Sequence, residues 1–101
     1  MLNSKQRAQL RAMANPIETI VQIGKGGITE NVIAQVSGAL EARELIKGRV
    51  LETSMLTARE AAEELCRECA AEPIQTIGSR FVLYRQSTTL DKDKRIKLIR
   101  G

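Results

Sequence analysis

The sequence contains no histidine and no tryptophan, and its aromatic residues are Phe81 and Tyr84 alone. Without histidine, the side chain most often used as a general base is missing. The two cysteines, Cys66 and Cys69 in "CREC", fall short of the four ligands a structural zinc site needs. Two aromatics cannot build the base-stacking platform of RRM or OB-type single-strand binders. The longest apolar run is Phe81 to Tyr84, far below the roughly 20 residues that cross a bilayer. The opening "MLNSKQRAQL" has no apolar secretory core, so the sequence predicts a cytoplasmic protein with no membrane partner.

What is present fits one compact domain. The 101 residues are 43% hydrophobic and 28% charged, ordinary values for a globular chain. Net charge is +4, and its distribution carries more information than its sum. Residues 1–17 hold Lys5, Arg7 and Arg11 and no acid. Residues 18–72 hold six bases and ten acids, and residues 73–101 hold seven bases against Asp91 and Asp93. Basic ends around an acidic middle suggest an anionic partner met by one side of the molecule. A merely solvated surface with chance clustering is the plain alternative.

The first helix is predicted over "NSKQRAQLRAMANP", capped by Asn3 or Ser4 and ended by Asn15-Pro16, with Leu10, Met13 and Ala14 as its apolar face. "IETIVQIG" alternates as a strand, and Ile17, Thr19, Val21 and Ile23 form its better-buried side. "ITENVIAQVSGALEAREL" reads as the second helix, capped by Thr29, with Ile28 and Ile33 as a hydrophobic staple. Gly38 inside it is a candidate point of close packing. In "ELIKGRVLE", Lys47 and Arg49 share a strand face with Leu45 and Leu51, so that face reaches water at its middle. A third helix opens with the capping box "TARE" at Thr57 and buries Ala58, Ala61, Ala62, Leu65 and Cys69. "IQTIGSRFVLYR" is a hairpin turning at Gly78-Ser79. The polar, basic tail over 87–101 is predicted to be partly disordered. The order α-β-α-β-α-β-β predicts a two-layer α/β sandwich with a four-stranded mixed sheet and three helices.

The candidate site is "QIGKGG". Its spacing fits neither a dinucleotide fingerprint, because Thr29 stands where a glycine is needed, nor a phosphate-binding loop ending in Gly-Lys-Ser/Thr. What remains is G-x-x-G, with Gly24 and Gly27 around Lys25 and Gly26. Glycines let a phosphate–sugar chain approach the peptide groups, and a helix start behind them offers free N–H donors. A turn that merely joins strand to helix is the structural alternative. "CREC" lies late in a helix, away from the end that activates a thiol, so packing is its expected role.

Taken together, "LRAMANPIETIVQIGKGGITENVIAQVSGALEARELIKGRV" and "IQTIGSRFVLYR" resemble the CRM domain (chloroplast RNA splicing and ribosome maturation), across residues 2–86. The size resembles the stand-alone, YhbY-type bacterial members. The resemblance implies a non-enzymatic RNA-binding domain over 1–86, followed by the tail. It also implies a fold similar to the C-terminal domain of translation initiation factor three, no cofactor or small-molecule substrate, and partners among ribosomal RNA and precursors of the large ribosomal subunit. It maps the family's loop onto Gly24, Lys25, Gly26 and Gly27, its "ELIK" lysine onto Lys47, and its "LYR" arginine onto Arg85. Gly48 departs from the β-branched residue usual in relatives, which puts the regularity of its strand in question. The full candidate surface adds Lys5, Arg7, Arg11, Arg49 and Arg80. Two rival functions follow from the residues: a protein-interaction module using the acidic middle, and a thiol enzyme using Cys66 and Cys69.

Overall fold

The structure, a computed structural model, describes residues 2–100. In chain order it has α1 (Ser4–Ala14), β1 (Thr19–Ile23), α2 (Glu30–Arg43), β2 (Leu45–Val50), α3 (Ala58–Cys69), β3 (Glu72–Ile77), β4 (Arg80–Tyr84) and a short 3-10 turn at Lys92–Lys94. Each long helix begins where a polar side chain can satisfy a free N–H. The Asn3 side chain accepts from the Gln6 N–H at 2.8 Å, and Gln6 accepts in return from the Asn3 N–H. Thr57 and Glu60 make the same reciprocal box, and the Thr29 hydroxyl accepts from the Val32 N–H. Such caps contribute roughly 1 kcal/mol each. Among the described residues, no helix is long and apolar enough to cross a membrane.

The four strands lie in the order β1-β2-β4-β3. β1 runs parallel to β2, while β4 is antiparallel to both β2 and β3, so the sheet is mixed, as expected. Strand alternation then divides the side chains. Val21, Ile23, Ile46, Val50, Phe81 and Leu83 pack with Val36, Leu40, Ala61, Leu65 and both cysteines from α2 and α3. Leu45, Val82 and Tyr84 form a second cluster, with Ile74, against Leu10 and Ala14 of α1. The two-layer arrangement therefore holds for α2 and α3 on one sheet face. The opposite face gains a partial third layer, because β2 and β4 are apolar on both sides at their Leu45–Tyr84 end and both sides need cover.

Four local expectations are revised. Met13 is 39% exposed, because the cluster beneath α1 is narrow and Leu10 and Ala14 fill it. A side chain at Gly38 would meet nothing within 4 Å, so no close packing occurs there. At Gly48 the strand pairs regularly with β4, opposite Phe81. A β-carbon there would lie 2.4 Å from the Phe81 ring, so the aromatic ring occupies the space a β-branched side chain would take.

The fourth revision concerns the tail, which is docked. Glu44 takes φ 65° as α2 turns into β2, and this aims its fully buried carboxylate at the C-terminal segment. There it accepts from the Ser87 N–H at 2.7 Å and the Ile96 N–H at 2.6 Å. Ile96 and Leu98 pack on the α1 cluster. Gln9 accepts from the Ile99 N–H and donates to the Lys97 carbonyl, and Gln6 donates to the Ile99 carbonyl. A polar composition did not prevent ordering, because α1 and α2 supply the partners that the tail's backbone needs.

Candidate nucleic-acid interface

The glycine loop joins the end of β1 to the start of α2. A turn closes it, with the Gly27 N–H donating to the Gly24 carbonyl at 3.0 Å. Gly27 has φ 69°, where glycine is favoured. Gly24 and Gly26 differ from it. A β-carbon at Gly24 would make ordinary contacts, 3.6 Å from Leu51 and 3.8 Å from Thr53, and one at Gly26 would approach only Thr29, at 4.0 Å. The fold thus has room for side chains at both positions. Lys25 is exposed at the tip, and the 14-residue α2 begins just beyond, with the positive end of its dipole near the loop.

Strand pairing brings further cations to this end of the sheet. Ile23, the last residue before the loop, is the partner of Val50. One step back, Arg49 lies between Gln22 on β1 and Arg80 on β4. Two arginines directly opposite each other on one face repel, an arrangement that lowers sheet stability. Lys47 shares that face, and its ammonium donates to the Asn15 carbonyl at the end of α1, at 3.5 Å. Lys47, Arg80, Asn15, Gln75, Ile77 and Val82 line a hollow of about 180 Å³. Ile77 is 64% exposed there. Gln22 and Ile77 were not among the candidate residues. Their strand parity with Arg49 and Arg80 was the available signal.

The other candidates separate. Lys5 and Arg11 are exposed on α1 rather than on the sheet. Arg7 turns inward, donating to the Pro73 carbonyl at 2.8 Å and pairing with Glu72 at 3.6 Å. Arg85 stands apart from the other candidates, with its guanidinium bound inside the fold. It donates to the Cys69 carbonyl at 2.8 Å, to the Ser37 hydroxyl and carbonyl, and to Glu41 at 3.1 Å. It shares the parity of Phe81 and Leu83, which directs it beneath α2 and α3. There it ties the end of α3 to α2.

The thiols are equally internal. Burial pushes Cys66 up to about 12, aided by neighbouring Cys69 and Glu72. Burial also raises Cys69 against the opposing pull of Arg85, and its Sγ donates to the Ile33 carbonyl. Burial thus disfavours the thiolate at both, the opposite of what activates a nucleophilic cysteine. The acidic side chains Glu60, Glu63 and Glu68 are exposed on α3, across the sheet from the arginine pair.

Comparison with known proteins identifies the family. The model of the CRS1 / YhbY (CRM) domain matches residues 2–85. The "Probable RNA-binding protein YqeI" of Bacillus subtilis is 42% identical over 98 residues, covering 97% of this chain and 99% of that protein. A Haemophilus influenzae protein named "RNA-binding protein" is 37% identical over 86 residues, covering 85% of this chain and 87% of its own length. The solution structure of SAV1595 from Staphylococcus aureus superposes with a TM-score of 0.78 at 44% identity, covering 98% of this chain and all of that one. The fold, the glycine loop between β1 and α2, and these matches lead to one assignment: this chain belongs to the CRS1 / YhbY (CRM) domain family.

Proposed function

We propose that this protein binds structured RNA through its phosphate backbone and acts, without a cofactor, in assembly of the large ribosomal subunit, on ribosomal RNA precursors. The carrying observation is the glycine loop. Gly24 and Gly26 are bare although the fold has room for side chains there, and exposed Lys25 stands between them. Bare backbone with a lysine at its tip is suited to close approach by a phosphate chain. Lys47, Arg49 and Arg80 extend the contact, and the repulsion between Arg49 and Arg80 is relieved when an anion lies across them. The names of the Bacillus and Haemophilus relatives support the RNA-binding part of this reading.

Filter binding across a salt series tests it. Lys25→Glu is expected to weaken binding to every structured RNA about tenfold or more, without changing preference among sequences. Unaltered binding would remove the loop from the site. For the cellular role, RNA crosslinking with sucrose-gradient sedimentation is expected to recover precursor large-subunit particles. Recovery with mature ribosomes alone, or with none, overturns the assembly role.

A further inference from the structure

We propose that α1 and the docked C-terminal segment form a second RNA contact, holding phosphates beyond the stretch gripped at the glycine loop. This inference rests on the RNA-binding reading. It concerns residues that neither the loop nor the sheet row uses.

The segment is built to present charge. Between Arg95 and Arg100 the chain alternates: Ile96 and Leu98 turn toward the α1 cluster, while Lys97 points to solvent. Its backbone is fixed by Glu44 at one end and by Gln6 and Gln9 along α1. The contacts to Lys97 and Ile99 step backwards along the helix, from Gln9 to Gln6, so helix and segment run antiparallel. The Arg95 side chain bonds the Leu90 carbonyl and shapes the turn that carries Lys92 and Lys94.

The result is a face whose cations lack partners. Lys5 on α1, with Lys92, Lys94, Lys97 and Arg100, is exposed, and among the described residues none of these lies in an ion pair. On α3, by contrast, exposed Arg59 pairs with Glu63 at 3.2 Å. The only acids in the segment are Asp91 and Asp93, against five bases. An ordered array of unneutralised ammonium and guanidinium groups matches a polyphosphate chain.

Position makes this contact separate from the loop. The segment is fastened to Glu44, which precedes β2, whereas the glycine loop adjoins Val50 at the other end of that strand. Strand rise sets those points roughly 20 Å apart. The molecule is 39 Å along its longest axis, so an RNA that touches both ends has a longer footprint than the loop alone can hold.

The test uses the full chain with Lys92, Lys94 and Lys97 all changed to Gln. These side chains are exposed, so the melting temperature and circular dichroism should match the parent. Binding to RNA hairpins of increasing stem length is measured over a salt series. The variant is expected to lose about two to three units of the log-affinity against log-salt slope, and roughly tenfold or more in affinity on long stems. On the shortest stems that still bind, the two proteins should match. Combination with Lys25→Glu should be additive. An unchanged slope on long stems, with Lys25→Glu still damaging, overturns this inference and leaves the loop reading intact. Absence of RNA binding by the parent overturns both. If the variant binds RNA normally and instead loses an acidic protein surface bound by the parent, the face belongs to a protein partner and the inference falls.

Discussion

Two glycine sites a few residues apart across the sheet show opposite relations to the fold. Gly48 is filled from inside, where the Phe81 ring occupies the volume that any side chain would need. At Gly26 a β-carbon would meet only the Thr29 side chain, at 4.0 Å, so the site has room to spare. The first glycine is explained by packing, whereas no contact within the fold calls for the second. The same contrast separates two arginines of one hairpin. Arg85 is held by four hydrogen bonds beneath the helices, while Arg80 is exposed and faces Arg49.

The comparison can be broken most forcefully at its inner end. Phe81→Ala should cost about 3–5 kcal/mol of folding stability, and Gly48→Ala about 1–3 kcal/mol, as read by urea denaturation. A neutral Gly48→Ala would mean that the ring is free to move aside. Arg85→Ala comes next. It leaves Glu41 without its ion pair and the Cys69 carbonyl without its donor, at about 3 kcal/mol, which lowers the melting temperature by roughly 10–20 °C. If it lost RNA affinity with no loss of stability, Arg85 would belong with the surface cations after all.

Gly26→Ala sharpens the outer end. It should change stability by less than about 0.5 kcal/mol yet reduce RNA affinity about tenfold. Equal damage to folding at Gly26 and Gly48 would dissolve the distinction between them.

The smallest effects are those of pH. Cys66 has its folded-state value pushed up to about 12 from an ordinary 9.0. Its protonated form therefore stabilises the fold fully below pH 9, and that contribution is lost as pH rises toward 12. Tyr84, raised by burial and by Glu44, acts in the same direction. Thiol-reagent labelling should accelerate over this window, and early labelling at neutral pH would contradict the burial. Glu41 works in the opposite sense. Partial burial pushes its carboxyl up, but donors from Thr88, Thr89 and Ser87 outweigh that and hold it below the usual 4.5. Its contribution is present above that value and disappears as pH falls below it, so acid should loosen the 87–89 turn first. Amide exchange at Thr88 and Thr89 reads this directly.

Helix caps, the hairpin and the mixed sheet were legible because they depend on neighbours in sequence. Asn3 meets Gln6, Thr57 meets Glu60, and Gly78 takes φ 58° where the turn needs it. The docked tail was not legible, because its anchors, Glu41 and Glu44, lie more than forty residues earlier and look like ordinary helix-surface acids. Of the candidate site, the loop and the cations at Lys47, Arg49 and Arg80 could be read from spacing. Arg85 resembled them in composition and differed only in strand parity, a signal that outranks charge when both sheet faces are covered.

The bond from Gln6 to the Ile99 carbonyl has a topological consequence. Leu2 and Leu98 line one shared hollow, so the path of the backbone nearly closes on itself. A linker of a few glycines could join Leu2 to Leu98, and the chain could then be reopened in the β2–α3 connection, where Met55 is 94% exposed. The same closure makes the stretch from Leu2 to Leu98 a suitable insert for the loops of other proteins, since these two residues lie at a single edge.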